Sequence, residues 1–416
     1  MAESLATPLP TDETIQNASM AQTIGLSDIA EIARKSDEII AYLQSEFKSK
    51  DRSLSVRFSI SQAADLVGRS STAIRTAEKQ GKLSSPTVNE KGRRMGYTLG
   101  NINAMRRFFG TTPFRNTQTD EAIILALQSF KGGVGKSTFT VHLAQYLAIQ
   151  GYRVCVIDTD SQATTTTLFG YNPDADIALD ETIFSYMDGE KNSLDYALHD
   201  THWDQLKLIP ANLELYGLEY SLAGYIARAD SSDALDALLM LRRGIQSIED
   251  QFDVILIDPP PALGMISLSV LNAANAMVVP TRPSATDFAS TAQFFKMLRD
   301  TYEQFMSAGL TEPRFKFLKV VVNALDESKS AHAAISNMMS DVYGTARLNA
   351  AMKNSAEIDN ATARLMTVYE LDAPITSRDV HRRCKAYLKA VNSEIEFLIR
   401  KSWPSHRDAL RNEGRV

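Results

Sequence analysis

The stretch Lys131-Gly132-Gly133-Val134-Gly135-Lys136-Ser137-Thr138 decides the fold. It follows an apolar run, Ala122 to Leu127, ending in Gln128-Ser129-Phe130, which reads as a buried strand. Phe139 to Ile149, with Val141, Leu143, Ala144, Leu147 and Ala148 apolar, reads as a helix. Glycines on a strand-to-helix turn let successive backbone N–H groups converge on phosphate oxygens, and the helix N-terminus adds partial positive charge. Gly132, Gly133, Val134, Gly135 and Thr138 supply the cradle, Lys136 can reach the β- and γ-phosphates, and the Ser137 hydroxyl can ligate Mg²⁺. The expected ligands are ATP or ADP with Mg²⁺.

Working outward, 416 residues exceed one typical domain core, and 44% apolar with 23% charged residues is ordinary for a soluble globular protein. Cys155 and Cys384 show no pairing or metal spacing, so both are expected reduced. No apolar run approaches the roughly 20 residues that span a bilayer, and no cationic segment followed by an apolar one opens the chain. A cytoplasmic protein is expected. The net charge of −6 is uneven: Arg52 to Arg115 carries twelve Lys/Arg against Asp65, Glu78 and Glu90, a local +9 that leaves −15 elsewhere. A basic module on an acidic body points to a polyanionic partner.

Beyond the glycine-rich loop, apolar runs recur at Arg153 to Ile157, Leu206 to Ile209, Val254 to Ile257, Ala276 to Val279 and Phe317 to Val322, separated by helix-length patterns. This rhythm predicts an α/β fold, a mostly parallel sheet with helices on both faces and phosphate chemistry at the carboxyl ends of the strands. Asp158-Thr159-Asp160-Ser161-Gln162 and the run Phe252 to Asp258 place carboxylates at such ends. The loop's second lysine, Lys131, gives the form KGGxGK[ST], and with it the chain resembles the ParA/MinD family of P-loop NTPases over roughly residues 120 to 400. The resemblance implies an ATP-sandwich homodimer in which Lys131 of one subunit touches the phosphates bound by the other; a solvated loop charge is the plain alternative. Lys131, Lys136 and Asp160 are then the catalytic set, Asp160 positioning the attacking water. Ser137, Asp158 and Asp258 are the Mg²⁺ set, although a strand-end carboxylate such as Asp158 can also be a helix cap. Ser161 stands where the family usually has proline, which makes this segment more mobile than usual. Leu168-Phe169-Gly170, Leu271 through Thr281 and Thr367-Val368-Tyr369-Glu370 extend the match. By the same comparison Pro280 shapes the adenine pocket and Asn323, otherwise a turn residue, contacts the base.

Toward the N-terminus, residues 1–22 read as a disordered tail. Ile29, Ile32, Ala33, Ile39, Ile40, Leu43 and Phe47 describe an amphipathic helix within 23–50, with Ser27 as its cap, that packs on its own domain or pairs with a second subunit. Within 51–110, Ser61 to Val67, the turn Gly68-Arg69-Ser70 and Ser71 to Lys79 follow helix-turn-helix logic, and Gly92-Arg93-Arg94 tips a two-stranded wing. This mainly α segment resembles the winged helix-turn-helix of MerR-type regulators and of large plasmid-borne ParA relatives. Arg69, Ser70, Ser71, Thr72 and Arg75 would face the major groove, and Arg93 and Arg94 would lie along phosphates or in the minor groove; a solvated basic surface is the alternative. Residues 111–120 read as a linker, 121–402 as the ATPase domain, and 403–416 as a polar tail.

No strong base and no arginine finger tied to a motif are visible, so slow hydrolysis is expected. The family resemblance implies an ATP dimer that binds DNA nonspecifically near the C-terminus and a ParB-type partner that stimulates hydrolysis. Candidate contacts are Lys353, Arg382, Arg383 and Lys385, which could equally be ordinary surface charges. The winged segment adds operator binding and repression of its own operon. The alternative reading is a nucleotide-sensing transcription regulator without a partition role. A membrane-bound form is not expected, because Ser402 to Val416 is not an amphipathic membrane helix, and an iron–sulfur relative would need cysteine ligands that are absent.

Overall fold

The computed structural model describes residues 25–47, 53–228 and 231–415. The chain divides into two compact units, residues 1–50 and 51–416. The tail expected at 1–22 lies outside the described residues. Helices of eight or more residues are α1 (Leu26–Phe47), α2 (Ile60–Val67), α3 (Ser71–Lys79), α4 (Leu99–Phe109), α5 (Lys136–Gln150), α6 (Tyr216–Arg228), α7 (Ser231–Gln246), α8 (Met265–Ala273), α9 (Ala285–Ser307), α10 (Ser330–Tyr343) and α11 (Arg378–Ser402).

In the first unit, Leu26, Ile29, Ile32, Ile39 and Ile40 of α1 are all exposed. Ser27 lies inside the first turn and does not cap it; the Asp28 carboxylate accepts from the Gly25 N–H at 2.8 Å instead. An acidic side chain there complements the helix dipole.

The second unit is built on a seven-stranded sheet ordered β3-β4-β2-β5-β1-β6-β7. The strands are β1 (Ile123–Leu127), β2 (Val154–Asp158), β3 (His199–Asp200), β4 (Leu206–Ile209), β5 (Val254–Asp258), β6 (Ala276–Thr281) and β7 (Phe317–Val322). All neighbours run parallel except the β3–β4 edge. β3 is two residues long, below what periodicity can detect. Alternate residues serve opposite faces: Ile123, Leu125, Val154, Val156, Val254 and Leu256 join one core with α5 and α11, while Ile124, Cys155, Ile157, Ile255 and Ile257 join another under α6, α7 and α8. Burial on both faces explains the near-continuous apolar runs.

Three expected boundaries change. Residues 51–110 are not a separately cored domain: Phe58, Val67, Ile74, Tyr97 and Ile102 belong to the same apolar cluster as Leu125, Leu147 and Trp203. Arg106 locks the junction. It is 1% exposed, donates to Ile149 O at 2.7 Å, Leu66 O at 3.2 Å and Asn103 Oδ1 at 2.6 Å, and burial draws its pKa down to about 10. Gly151, at φ +102°, ends α5 against it; a Cβ there would lie 2.6 Å from the guanidinium. The 111–120 linker is pinned rather than loose. Buried Arg115 donates to Phe252 O, Asp120 O and Glu249 O, and its N–H reaches Asp253 Oδ1 at 3.0 Å. The 403–416 tail is packed: Trp403 is fully buried with its indole N–H on Glu121 O at 2.9 Å, and Leu410 is fully buried.

The extended segment before α2 pairs with the one after the turn at Gly92 through the bridge Phe58↔Tyr97, and the two arms flanking that turn pair through Val88↔Arg94. Ser59 and Thr98 form capping boxes for α2 and α4, and Gly68, at φ +67°, ends α2 in the left-handed conformation that glycine adopts without strain. Replacing Arg106 by Ala leaves two helix-end carbonyls unpaired in the core, so urea denaturation should show a loss of about 2–4 kcal/mol. Arg107→Ala, on the exposed side of α4, should change it by less than about 0.5 kcal/mol.

Candidate nucleotide site

The glycine-rich loop joins β1 to α5, and no side chain caps the α5 N-terminus. Its first-turn N–H groups are free to meet a ligand. Gly133 and Gly135 have φ of +72° and +85°, and a Cβ on Gly135 would lie 2.9 Å from Asn323 Nδ2. Asn323, just past β7, donates to Val134 O at 2.5 Å and so fastens the loop from the neighbouring strand end. A cavity of about 540 Å³ opens here, lined by Gly132 through Phe139 on one wall. Asp160, Gln162 and Pro261 also line it, as do the apolar Met352, Ile358 and Leu388 and the polar Asn354, Ser355 and Asp359.

Under the loop, Asp158 and Asp258 end β2 and β5 as register partners, both fully buried. Asp158 accepts from the Thr166 N–H (2.9 Å), the Thr166 hydroxyl (2.8 Å) and the Asp160 N–H (3.2 Å). Asp258 accepts from the Thr165 hydroxyl at 2.7 Å and from the Ser137 hydroxyl. Burial is the main force raising both carboxyl pKa values, and the Asp258 charge raises Asp158 further. Lys136 is 7% exposed; burial lowers its pKa, while Asp258 and Asp160 act in the opposite sense. Among the described residues no group of three or more His, Cys, Asp or Glu is arranged to hold a metal. A carboxylate beside a hydroxyl and a phosphate cavity is instead the donor set suited to Mg²⁺, which keeps waters and binds one or two carboxylates.

The structure brings Lys131, Lys136, Asp160, Asn323 and the loop together, with two corrections. Pro280 lies inside β6, buried and in register with Val321 of β7, and is not on the cavity wall; Pro261 and Ala324 are. Lys353 lines the cavity itself, paired with Glu327 at 2.7 Å and stacked over Tyr387 at 4.6 Å, rather than standing free on the surface. Lys131 is held in its own chain, 2.9 Å from Asp287 Oδ1 and 3.2 Å from Thr286 Oγ1. Sequence reasoning missed His142, whose Nδ1 is 2.7 Å from Thr138 O and whose pKa burial lowers, and Arg282 on the cavity wall. It also missed Ala163, at φ +51° beside Asp160. Neither a motif nor a period marks these positions.

The predicted DNA contacts are scattered in availability. Thr72, Arg75, Arg93, Arg382 and Arg383 are exposed, and Ser71 is half-buried. The Ser70 hydroxyl caps α3 by accepting from the Ala73 N–H at 3.2 Å. Arg69 lies over Phe109, Arg94 is paired with Glu78 at 2.6 Å, and Lys385 is half-buried with its pKa lowered by burial.

A strand–glycine loop–helix turn with a buried lysine and strand-end carboxylates defines a P-loop nucleotide-binding domain. Residues 122–310 match a family described as an AAA domain. The chain is 36% identical to Protein SopA of Escherichia coli (strain K12) over 358 residues, 85% of this chain and 91% of that one. It therefore belongs to the ParA-type partition ATPases. Its fold is similar to a solved structure titled Partition Protein (TM-score 0.63, 18% identity, covering 89% of this chain and 98% of that one). It is also similar to an ATP complex of a Cyanothece McdA variant (TM-score 0.52, 20% identity, 65% and 97%).

The raised carboxyl pKa values fix a sign. This pair holds more protons in the native state than in the unfolded chain from about pH 4 upward, so its own contribution to stability falls as pH rises through that window. Asp258→Asn should therefore stabilise the ligand-free protein near pH 7 by about 1–3 kcal/mol in calorimetry, while abolishing ATP hydrolysis.

Proposed function

We propose that this ATPase dimerises on ATP, binds DNA nonspecifically in that state and is returned to monomers by slow hydrolysis that a ParB-type partner accelerates. What supports this reading is one arrangement: a two-lysine phosphate loop over a buried pair of strand-end carboxylates. Ser137 with Asp258, and Asp158 behind it, would hold Mg²⁺, which neutralises charge between the β- and γ-phosphates. Lys136 binds the phosphates, and Asp160, on the cavity wall, orients a water. Hydrolysis is slow because a single half-buried carboxylate with no histidine beside it is a weak base.

Lys131 would reach the phosphates held by the partner subunit, and to do so it must leave Asp287. Binding of two nucleotides supplies that exchange of one anion for another. In sedimentation experiments with Mg²⁺ and AMPPNP, the wild-type chain should be dimeric, whereas Lys131→Ala should stay monomeric while still binding nucleotide. A monomeric wild type removes the reading.

Residues 53–110 serve, on this reading, as a winged helix-turn-helix that binds an operator and represses the chain's own operon. Thr72 and Arg75 on α3 face the major groove, with Arg93 on the wing. Arg382 and Arg383 on α11 contact nonspecific DNA. Arg75→Ala should weaken operator binding by about 1–3 kcal/mol and leave nonspecific, ATP-dependent binding intact. Retention of operator affinity in that variant would leave the basic module as a solvated surface and favour a purely nucleotide-driven DNA contact.

A further inference from the structure

The short helix that follows the Asp160 turn is held from outside itself. It spans Thr164–Leu168, five residues, begins after Ala163 at φ +51° and has no side-chain cap. A helix of that length does not support itself, because its first turn fixes several residues for one hydrogen bond. Two consecutive threonines anchor it instead. The Thr166 N–H and hydroxyl donate to Asp158 Oδ2 at 2.9 and 2.8 Å, and the Thr165 hydroxyl donates to Asp258 Oδ2 at 2.7 Å. Both threonines are fully buried, so bulk water competes for neither bond.

The two hydroxyls differ in what they join. Thr166 also accepts from the Ala211 N–H at 3.0 Å, which fastens the segment to the chain after β4. Among the described residues the Thr165 hydroxyl bonds to Asp258 alone. The other oxygen of that carboxylate, Oδ1, lies 3.4 Å from the Thr140 hydroxyl of α5, and the Ser137 hydroxyl also reaches Asp258. The carboxylate is therefore divided: Oδ2 is committed to the segment after β2, and Oδ1 faces the helix that begins at the glycine-rich loop. An aspartate χ2 is a broad torsion, and a hydrogen bond to one oxygen removes that freedom and orients the other.

We propose that Thr165 is a positioning residue for Mg²⁺: by holding Oδ2 it keeps Oδ1 of Asp258 turned toward α5, and it joins the metal carboxylate to the segment that carries Asp160. The proposal rests on the ATPase reading and adds the residue that orients the metal carboxylate. Thr167 is its matched control. It lies on the same short helix, its hydroxyl donates to Ala163 O at 3.0 Å, and it touches no carboxylate.

The test is calorimetric titration of AMPPNP into the full chain, without divalent cation and at a series of Mg²⁺ concentrations. Each variant is made in the wild type and in the Lys131→Ala background, so that altered dimerisation does not imitate an altered metal site. Thr165→Ala should raise the Mg²⁺ concentration that gives half of the tightening by about tenfold, and leave the Mg²⁺-free affinity within about twofold of wild type. Thr165→Ser should recover most of the loss, and Thr167→Ala should match the wild type in both conditions. An unchanged Mg²⁺ requirement in Thr165→Ala, equal losses with and without Mg²⁺, or the same shift in Thr167→Ala overturns the proposal. Should Thr165→Ala not fold, Thr165→Cys, with a weak donor of similar size, carries the same comparison. A wild type that binds no AMPPNP overturns the ATPase reading, a result distinct from a wild type and a Thr165 variant that bind with the same Mg²⁺ requirement.

Discussion

Two aspartates in register at the ends of adjacent parallel strands are the constraint from which the rest of the site follows. Neighbouring strands lie about 4.8 Å apart, so Asp158 and Asp258 present like charges at close range in a region shielded from water. Nothing apolar gains from that arrangement. It persists because hydroxyls of Thr165, Thr166 and Ser137 point at the carboxylates and the buried Lys136 ammonium balances them. The pair is under-compensated without a ligand, which is why burial lifts both pKa values. A divalent cation with a polyphosphate would supply the missing charge on both sides.

That electrostatic tension reaches the flanking segments. Thr165 and Thr166 belong to the segment after β2 that also carries Asp160 and the left-handed Ala163, so the hydroxyls holding the carboxylates and the candidate water-orienting residue lie on one short stretch of chain. Strain of this type is commonly retained where a segment must change state. At the other end of α5, Arg106 ties the same helix to α2 and α4. The helix that begins at the glycine-rich loop thus ends against the basic N-terminal segment.

Much of this is legible in the sequence. Glycine spacing and continuous apolar runs locate six of the strands and the phosphate loop, because burial on both sheet faces leaves an unmistakable pattern. What the sequence does not reveal is the fate of individual charges. The count of twelve basic residues in 52–115 treats them alike, yet Arg106 and Arg115 are buried structural cations and Arg94 is paired with Glu78. Lys353 reads as a surface charge and lies in the nucleotide cavity. Pro280 takes its expected role from its neighbourhood, but strand pairing encloses it in β6. Trp403 sits in a polar stretch and is a core residue, since one large ring can anchor a segment that has no periodicity. Ala163 takes its interest from where the turn puts it, which no local pattern encodes.

The central claim is that the buried acid pair exists to receive a magnesium-bound nucleotide. It is tested most directly by measuring AMPPNP affinity with and without Mg²⁺, in the wild-type chain and in Asp258→Asn. Mg²⁺ should tighten binding by about tenfold or more in the wild type and by less than about twofold in the variant. The same Mg²⁺ dependence in both proteins would contradict the claim.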